Sequence, residues 1–424
     1  MKILVLGSVA KEHALVKWIS QSKHKSEIFA YPGNPGMCDI AKIICRDNNN
    51  DIQAVLDIIK NEKINLVISS TATLIEKGVM EEIKKLGCAI LGPGKDAFAF
   101  ENLQTLRERA KRYGIKTLDK AKVVTNENEL DEALSLFKNR MVSLKTVIGK
   151  SKNRFDTMNM SVAKSWAMEY MKYSPILIEE FIEGLAATAT VLTDSEHYRL
   201  FPIASDYYKS LDDDSGEFSS GMGSIAPLPI SRYTRDRVGE EVIKKMVKGL
   251  KEDGIVYKGF LTFHILITAS GDVVLLNMKT RLSDPSAPLM LSLTDDDAVE
   301  ELQNAIDIKL VPEEFHTKEK TYALGIVIAS KGYPSDDIKE VPVKLNEIPK
   351  SLQNVKNNDF LYYGAVKDNK GTLYTAGGRP FTLVVQAESI ERANRKAYTL
   401  LYDLKDVFQG AWWREDIGAN FFLF

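Results

Sequence analysis

The chain has 424 residues, 44% hydrophobic and 27% charged, a soluble globular composition long enough for about two to four domains. A formal net charge of −2 gives no electrostatic basis for binding nucleic acid or an anionic membrane. Apolar runs such as Phe260 to Ile267 are too short to span a bilayer, and Cys38, Cys45 and Cys88 form no C-x-x-C pair.

From the N-terminus, Lys2 to Leu6 reads as a strand that begins at once, with no cleavable signal pattern, so a cytoplasmic chain with reduced thiols is expected. Glu12 to Ser20 has helix periodicity, Ile28 to Ala30 is a short strand, and Asp51 to Asn61 is a helix. Leu66 to Ser69 is a strand, Leu74 to Leu86 a helix, and Ala89 to Leu91 a strand before Gly92-Pro93-Gly94. Alternation of this kind predicts a doubly wound parallel sheet, with ligands beyond the carboxyl ends of its strands. A helix from Phe100 to Tyr113 ends at Gly114, a C′ glycine. Val142 to Val147 is a strand, Val162 to Lys172 a helix, and Ile176 to Ile178 a strand running into Glu179. Asp206 to Gly223 is polar and loop-like, and Arg235 to Asp253 is a long helix. Gly259 to Ile267 and Asp272 to Lys279 form a hairpin across Ser270-Gly271. Beyond Thr321 come short strands and a helix from Ser389 to Tyr402, a β-rich end.

Gly7-Ser8 follows the first strand as a dinucleotide loop would, but Val9 and Ala10 stand where a pyrophosphate needs glycines. A phosphate at the start of the next helix still suits its free amides. Pro32-Gly33-Asn34 with Gly36 is a turn. Glu179-Glu180-Phe181-Ile182-Glu183-Gly184 leaves a strand, and Lys145 ends another. Asn277 and Lys279 precede Arg281-Leu282-Ser283-Asp284-Pro285. An ammonium cannot ligate a metal ion, so no metal ligand is assigned at these positions.

Taken in order, these segments resemble the glycinamide ribonucleotide synthetases, phosphoribosylamine–glycine ligases of the ATP-grasp superfamily. Gly7-Ser8-Val9-Ala10-Lys11-Glu12-His13-Ala14 keeps five of the eight residues of the family's Gly-Ser-Gly-Gly-Arg-Glu-His-Ala. The family's magnesium ligands fall at Asn277 and Lys279, in its Glu-Phe-Asn strand before Arg-Phe-Gly-Asp-Pro-Glu. Its glycine-rich flap is replaced by Thr146 to Arg154, with one glycine and basic residues at 150, 152 and 154. A family lysine falls at Leu103 and a later one at Arg107; the family's Asp-His-Lys-Arg becomes Asp206-Tyr207-Tyr208-Lys209. Lys331 to Pro334, Gly377-Gly378-Arg379 and Arg414 to Gly418 match C-terminal signatures.

The resemblance implies an N-terminal domain at 1–100, an ATP-grasp domain at 101–325 with a small lobe at about 122–190, and a C-terminal domain at 326–424. It implies ATP as cofactor, with Mg²⁺ in doubt, and ligation of a small amino acid or carboxylate to a phosphoribosyl amine through an acyl phosphate. Lys279, Arg281 and Asp284 take the catalytic roles in this reading; Lys145, Arg107, Glu179, Glu180 and Phe181 hold the nucleotide. Gly7, Ser8, Glu12, His13, Gly33, Asn34, Asp206, Asp212, Asp214, Gly221, Met222 and Gly223 line the substrate site. The expected partners are small molecules, with no nucleic acid or membrane, and the expected assembly is a monomer or small homo-oligomer. The alternative is a repurposed member that binds a nucleotide, a phosphoribosyl metabolite or a protein without catalysis.

Overall fold

Ile3 to Leu6 are buried on both faces, as a strand must be when helices cover each side of a parallel sheet. A computed structural model describes residues 1–44, 51–118, 120–147, 154–335 and 337–421. In its first sheet Lys2–Gly7 lies between Glu27–Pro32 and Leu66–Ser69, with Lys42–Ile43 and Ala89–Leu91 at the edges, all parallel. Strand order reverses at Lys2–Gly7, so the crevice beyond its carboxyl end is the sheet's natural ligand position. Gly7, Gly33 and Ser70 sit there.

Two antiparallel sheets follow. The small lobe pairs Ala121–Val124, Ile176–Glu180, Val142–Thr146 and Arg154–Thr157 in that order, backed by the helices Glu127–Ser135 and Met160–Tyr170. The larger one runs Tyr198–Leu200, Leu185–Thr193, Gly259–Ile267 and Val273–Lys279. In the last sheet Tyr322–Ile328, Phe381–Ala387 and Phe360–Tyr363 join the hairpin Ser205–Leu211 and Ser215–Ala226. The expected boundary at 325/326 falls inside the strand Tyr322–Ile328.

Four local expectations change. Asp206 to Gly223 is a β-hairpin rather than a loop, because Asp213 and Asp214, at φ 55° and 48°, make the tight turn that joins two strands. Leu74 to Leu86 breaks at Gly78, φ 86°, into Ala72–Glu76 and Val79–Lys85. The next helix starts at Leu103, not Phe100, because the Asn102 side chain accepts from the amides of Gln104 and Thr105 and caps it there. The long helix near 235–253 begins at Arg232, capped by Ser231, and passes through a π-turn at Gly239–Ile243. Leu185–Thr193 went unassigned because its small residues hide the strand pattern.

Candidate active site

Val273–Lys279 is antiparallel to Gly259–Ile267, with Lys279 opposite Thr262 and Asn277 opposite His264. Asn277 and Lys279 are two residues apart on a strand and so share one face. Just beyond them the chain meets Glu101, which ends the turn Ala99–Glu101 and is 9% exposed. Glu101 accepts from Thr280 N (3.0 Å) and Oγ1 (3.1 Å) and from Arg281 Nε (3.1 Å) and Nη2 (3.0 Å). Lys279 Nζ lies 3.3 Å from its other oxygen. Burial works to raise the pKa of this carboxyl, but Arg281, Lys279 and the Thr280 amide outweigh it and hold the group below the usual carboxylate range. The two positions that correspond to the family's magnesium ligands thus present an amide, Asn277, and an ammonium, Lys279, already paired with a carboxylate. This donor set does not fit the ion.

A second carboxylate organises the small lobe. Glu179 lies on the central strand Ile176–Glu180, its side chain 1% exposed, and pairs with both Lys145 and Arg107. Burial depresses the Lys145 pKa, whereas the two cations pull that of Glu179 below its ordinary value against the effect of burial. Glu180 Oε1 accepts from Lys120 N at 3.1 Å, and Phe181 N donates to Met141 O at 3.3 Å. The Phe181 amide expected at the adenine is therefore spent on the small lobe's own edge. Of the segment in the flap's place, Thr146 to Arg154, residues 148–153 lie outside the described residues, as does Cys45.

At the crevice of the first sheet, several expected ligands act as clamps. Glu12 Oε2 accepts from Val9 N at 2.9 Å. His13 is fully buried; its Nδ1 accepts from Tyr363 N at 3.0 Å, which places the ring proton on Nε2. Burial pushes the His13 pKa down to about 3, with nearby Lys17 adding to the effect, so the ring is neutral. Asn34 accepts from Gly36 N (3.0 Å) and donates to Ser8 O (2.9 Å) and Tyr363 O (2.8 Å), tying the crevice to the last sheet. The backbone of Gly7, Ser8 and Gly33 forms the crevice itself. Lys11 joins it to the 281–285 turn: its Nζ donates to Ser70 O and Leu282 O, both at 3.1 Å.

Asp284 is 3.5 Å from Arg379 Nη2, and Arg379 Nη1 donates to Ser220 O at 2.9 Å. Its buried Oδ1 has no hydrogen-bond partner among the described residues. Gly221 holds φ 110°, and a Cβ there would sit 2.5 Å from Pro285 Cδ, so only glycine lets the hairpin approach this turn. Asp206, buried nearby, accepts from Thr188 Oγ1 (2.8 Å) and Tyr208 OH (3.1 Å), and the Tyr208 hydroxyl is 3.1 Å from His264 Nδ1. Burial raises the Asp206 pKa. Met222 and Gly223 are core residues of their strand. Asp212 and Asp214 are held elsewhere: Arg414 donates to Asp214 at 2.9 Å and to Asp416 at 2.6 Å, and Asp212 accepts from Glu415 N at 2.8 Å. They fasten the chain's end to the hairpin.

The structure therefore gathers Lys279, Arg281 and Asp284 with the Gly7 crevice, and Lys145, Arg107 and Glu179 with one another. Glu101, Lys11 and His264 were not among the expected site residues. A single acid before a helix carries no spacing signal, Lys11 shows only as the basic residue of the Gly7-to-Ala14 segment, in the first turn of the helix Ala10–Ser20, and His264 becomes visible only through its strand register with Asn277.

Three family sequence models match: the N domain of phosphoribosylglycinamide synthetase over residues 1–101, its ATP-grasp (A) domain over 104–287 and its C domain over 323–420. A phosphoribosylamine–glycine ligase of Haemophilus influenzae is 29% identical, over 99% of this chain and 98% of its own. That of Caldanaerobacter subterraneus subsp. tengcongensis is 28% identical, over 99% of this chain and 100% of its own. Among solved structures, the phosphoribosylamine–glycine ligase of Thermotoga maritima is similar with a TM-score of 0.80 at 24% identity, over 98% of this chain and 100% of that one. A carboxyaminoimidazole ribonucleotide synthase from Aspergillus clavatus, complexed with ATP, shares the fold at a TM-score of 0.65 and 13% identity, over 96% of this chain and 98% of that one. The chain belongs to the phosphoribosylglycinamide synthetase family, with its N, ATP-grasp and C domains in the family's order.

Proposed function

We propose that this chain is an ATP-dependent ligase that joins glycine to 5-phosphoribosylamine, with side-chain cations in place of the magnesium that the family holds at the positions of Asn277 and Lys279. The observation that carries this reading is the pair of carboxylate-centred clusters. Around Glu101 stand Lys279 and Arg281; around Glu179 stand Lys145 and Arg107. Four cations against two carboxylates leave two positive charges to meet a phosphate chain, the electrostatic task that a divalent ion performs in phosphoryl transfer. Lys279 has the role of fixed charge, set by Glu101 rather than by solvent.

In this reading ATP supplies the phosphoryl group that activates the glycine carboxylate as an acyl phosphate. Arg281, anchored on Glu101 through two nitrogens, orients that carboxylate; Asp284, whose buried Oδ1 has no partner among the described residues, accepts a proton or hydrogen bond from the amine. The Gly7–Ser8 and Gly33 backbone receives the phosphoribosyl phosphate at the switch point of the first sheet. Glu179, Glu180 and Phe181 form the hinge beside the base. The partners are small molecules, and the working form is a monomer or small homo-oligomer of the cytoplasm; no helix among the described residues is long and apolar enough to cross a membrane.

The test is ADP release by the purified chain with ATP, glycine and phosphoribosylamine, in the presence of EDTA. ADP formation that requires both acceptors supports the reading. Its absence both in EDTA and with Mg²⁺ added contradicts it.

A further inference from the structure

At the far end of the strand Phe381–Ala387 two open clefts, of about 420 and 650 Å³, share Asn358, Gln386 and Lys396 in their walls. Arg379, at the other end of that strand, belongs to the candidate active site. At about 3.3 Å per residue, Gln386 stands roughly 20 Å from it. The clefts are thus a separate place on the molecule.

Their charge is unbalanced. The walls carry Lys318, Lys356, Lys396 and Arg392 against Asp359 and Glu388. Lys396 pairs with Asp359 at 2.6 Å and Arg392 with Glu388, which leaves Lys318 and Lys356. Lys318 Nζ donates only to neutral oxygens: Ser292 O (2.9 Å), Asn358 Oδ1 (3.0 Å) and Gln386 Oε1 (3.4 Å). Behind it Lys17, 4% exposed, donates to Asn357 O at 3.1 Å and lies 4.7 Å from the centre of the Phe360 ring. Neither ammonium forms an ion pair among the described residues. Burial lowers the pKa of both, and Lys17, repelled also by Lys318, falls to about 8. Asp295 acts on Lys318 only at a distance, and two neighbouring cations, one buried and one half-buried, whose hydrogen bonds all go to neutral oxygens are costly unless an anion joins them.

We propose that this double cleft is a binding site for a small phosphorylated anion, distinct from the candidate active site. Clefts of this size suit metabolite-sized ligands. Lysines act as point charges toward phosphate, and the Asn358 and Gln386 amides add fixed polar groups. The bound anion compensates Lys318 directly and Lys17 through it. Lys17 lies on the helix Ala10–Ser20, which starts just past the Gly7–Ser8 loop, so occupancy stiffens the element that shapes the crevice.

Calorimetric titration of the full chain with inorganic pyrophosphate tests this. The native chain is expected to bind it, with net proton uptake at pH 8 because Lys17, at about 8, regains its proton, read from two buffers of different ionisation enthalpy. Lys318→Met, which keeps the packed stem, is expected to weaken binding by about tenfold or more and to remove most of the uptake. Lys356→Gln, an exposed change that leaves folding untouched, is expected to weaken it by about threefold. Lys145→Met, in the candidate active site, is expected to leave this event within about twofold. Absence of binding at millimolar pyrophosphate overturns the proposal. So does binding that survives Lys318→Met and Lys356→Gln unchanged, or that disappears with Lys145→Met.

Discussion

His13 shows how a residue taken for a ligand becomes a pH-sensitive strut. Its ring is neutral in the fold and fully buried, with a pKa of about 3 against an ordinary 6.5. A folded pKa below the unfolded one means that stability is fully present above pH 6.5 and is lost as pH falls toward 3, because only the unfolded chain takes up the proton. Between pH 7 and pH 5 the loss from this group is about 2 kcal/mol. Urea unfolding of native chain and His13→Gln at both pH values checks it: the variant, which keeps an acceptor for Tyr363 N, is expected to lose most of that pH dependence. Glu179 makes the opposite point, a carboxylate that holds two cations in place. Glu179→Gln leaves Lys145 and Arg107 without their counter-charge and is expected to lower stability by about 3 kcal/mol, read from denaturant midpoints. An unchanged midpoint would mean that solvent already screens the pair. Neither residue's role was legible in the sequence, since burial depth and partner identity are set by contacts between Tyr363 and His13 or Arg107 and Glu179 that lie far apart along the chain.

At the scale of elements, what the sequence showed best were the strands of the first sheet and the hairpin ending at Lys279, where apolar runs and a Ser270-Gly271 turn are local signals. What it hid was the hairpin Ser205–Leu211 and Ser215–Ala226. Its outer half is exposed and polar, and its inner half pairs both across the hairpin and with Tyr322–Ile328, about a hundred residues further on. That hairpin positions Gly221 against Pro285. Gly221→Ala must accommodate both φ 110° and a Cβ 2.5 Å from the proline ring, so a loss of about 2 kcal/mol is expected, together with displacement of Asp284. If the variant unfolds with the native midpoint, the close approach has slack that the geometry does not suggest. Helix starts were misplaced by up to three residues for a simpler reason: Asn102 and Ser231 are caps whose effect depends on side-chain orientation.

At the scale of the whole molecule, the order of weak motifs carried the family, and the three matched domains bear this out. The same motifs located Lys279, Arg281, Asp284 and the Gly7 crevice, which the fold does bring together. They also suggested Asp212 and Asp214, which in the fold pair with the Glu415 amide and with Arg414 respectively. Lys279, fixed by Glu101, is proposed to supply charge that a magnesium ion would otherwise bring. Calorimetric titration of ATP into the full chain, with EDTA and again with excess Mg²⁺, measures this most directly. If Lys279 takes that role, the two affinities lie within about threefold of each other, and Lys279→Met loses about tenfold in EDTA. An affinity in Mg²⁺ that exceeds the EDTA value by about a hundredfold, with Lys279→Met neutral, would contradict it.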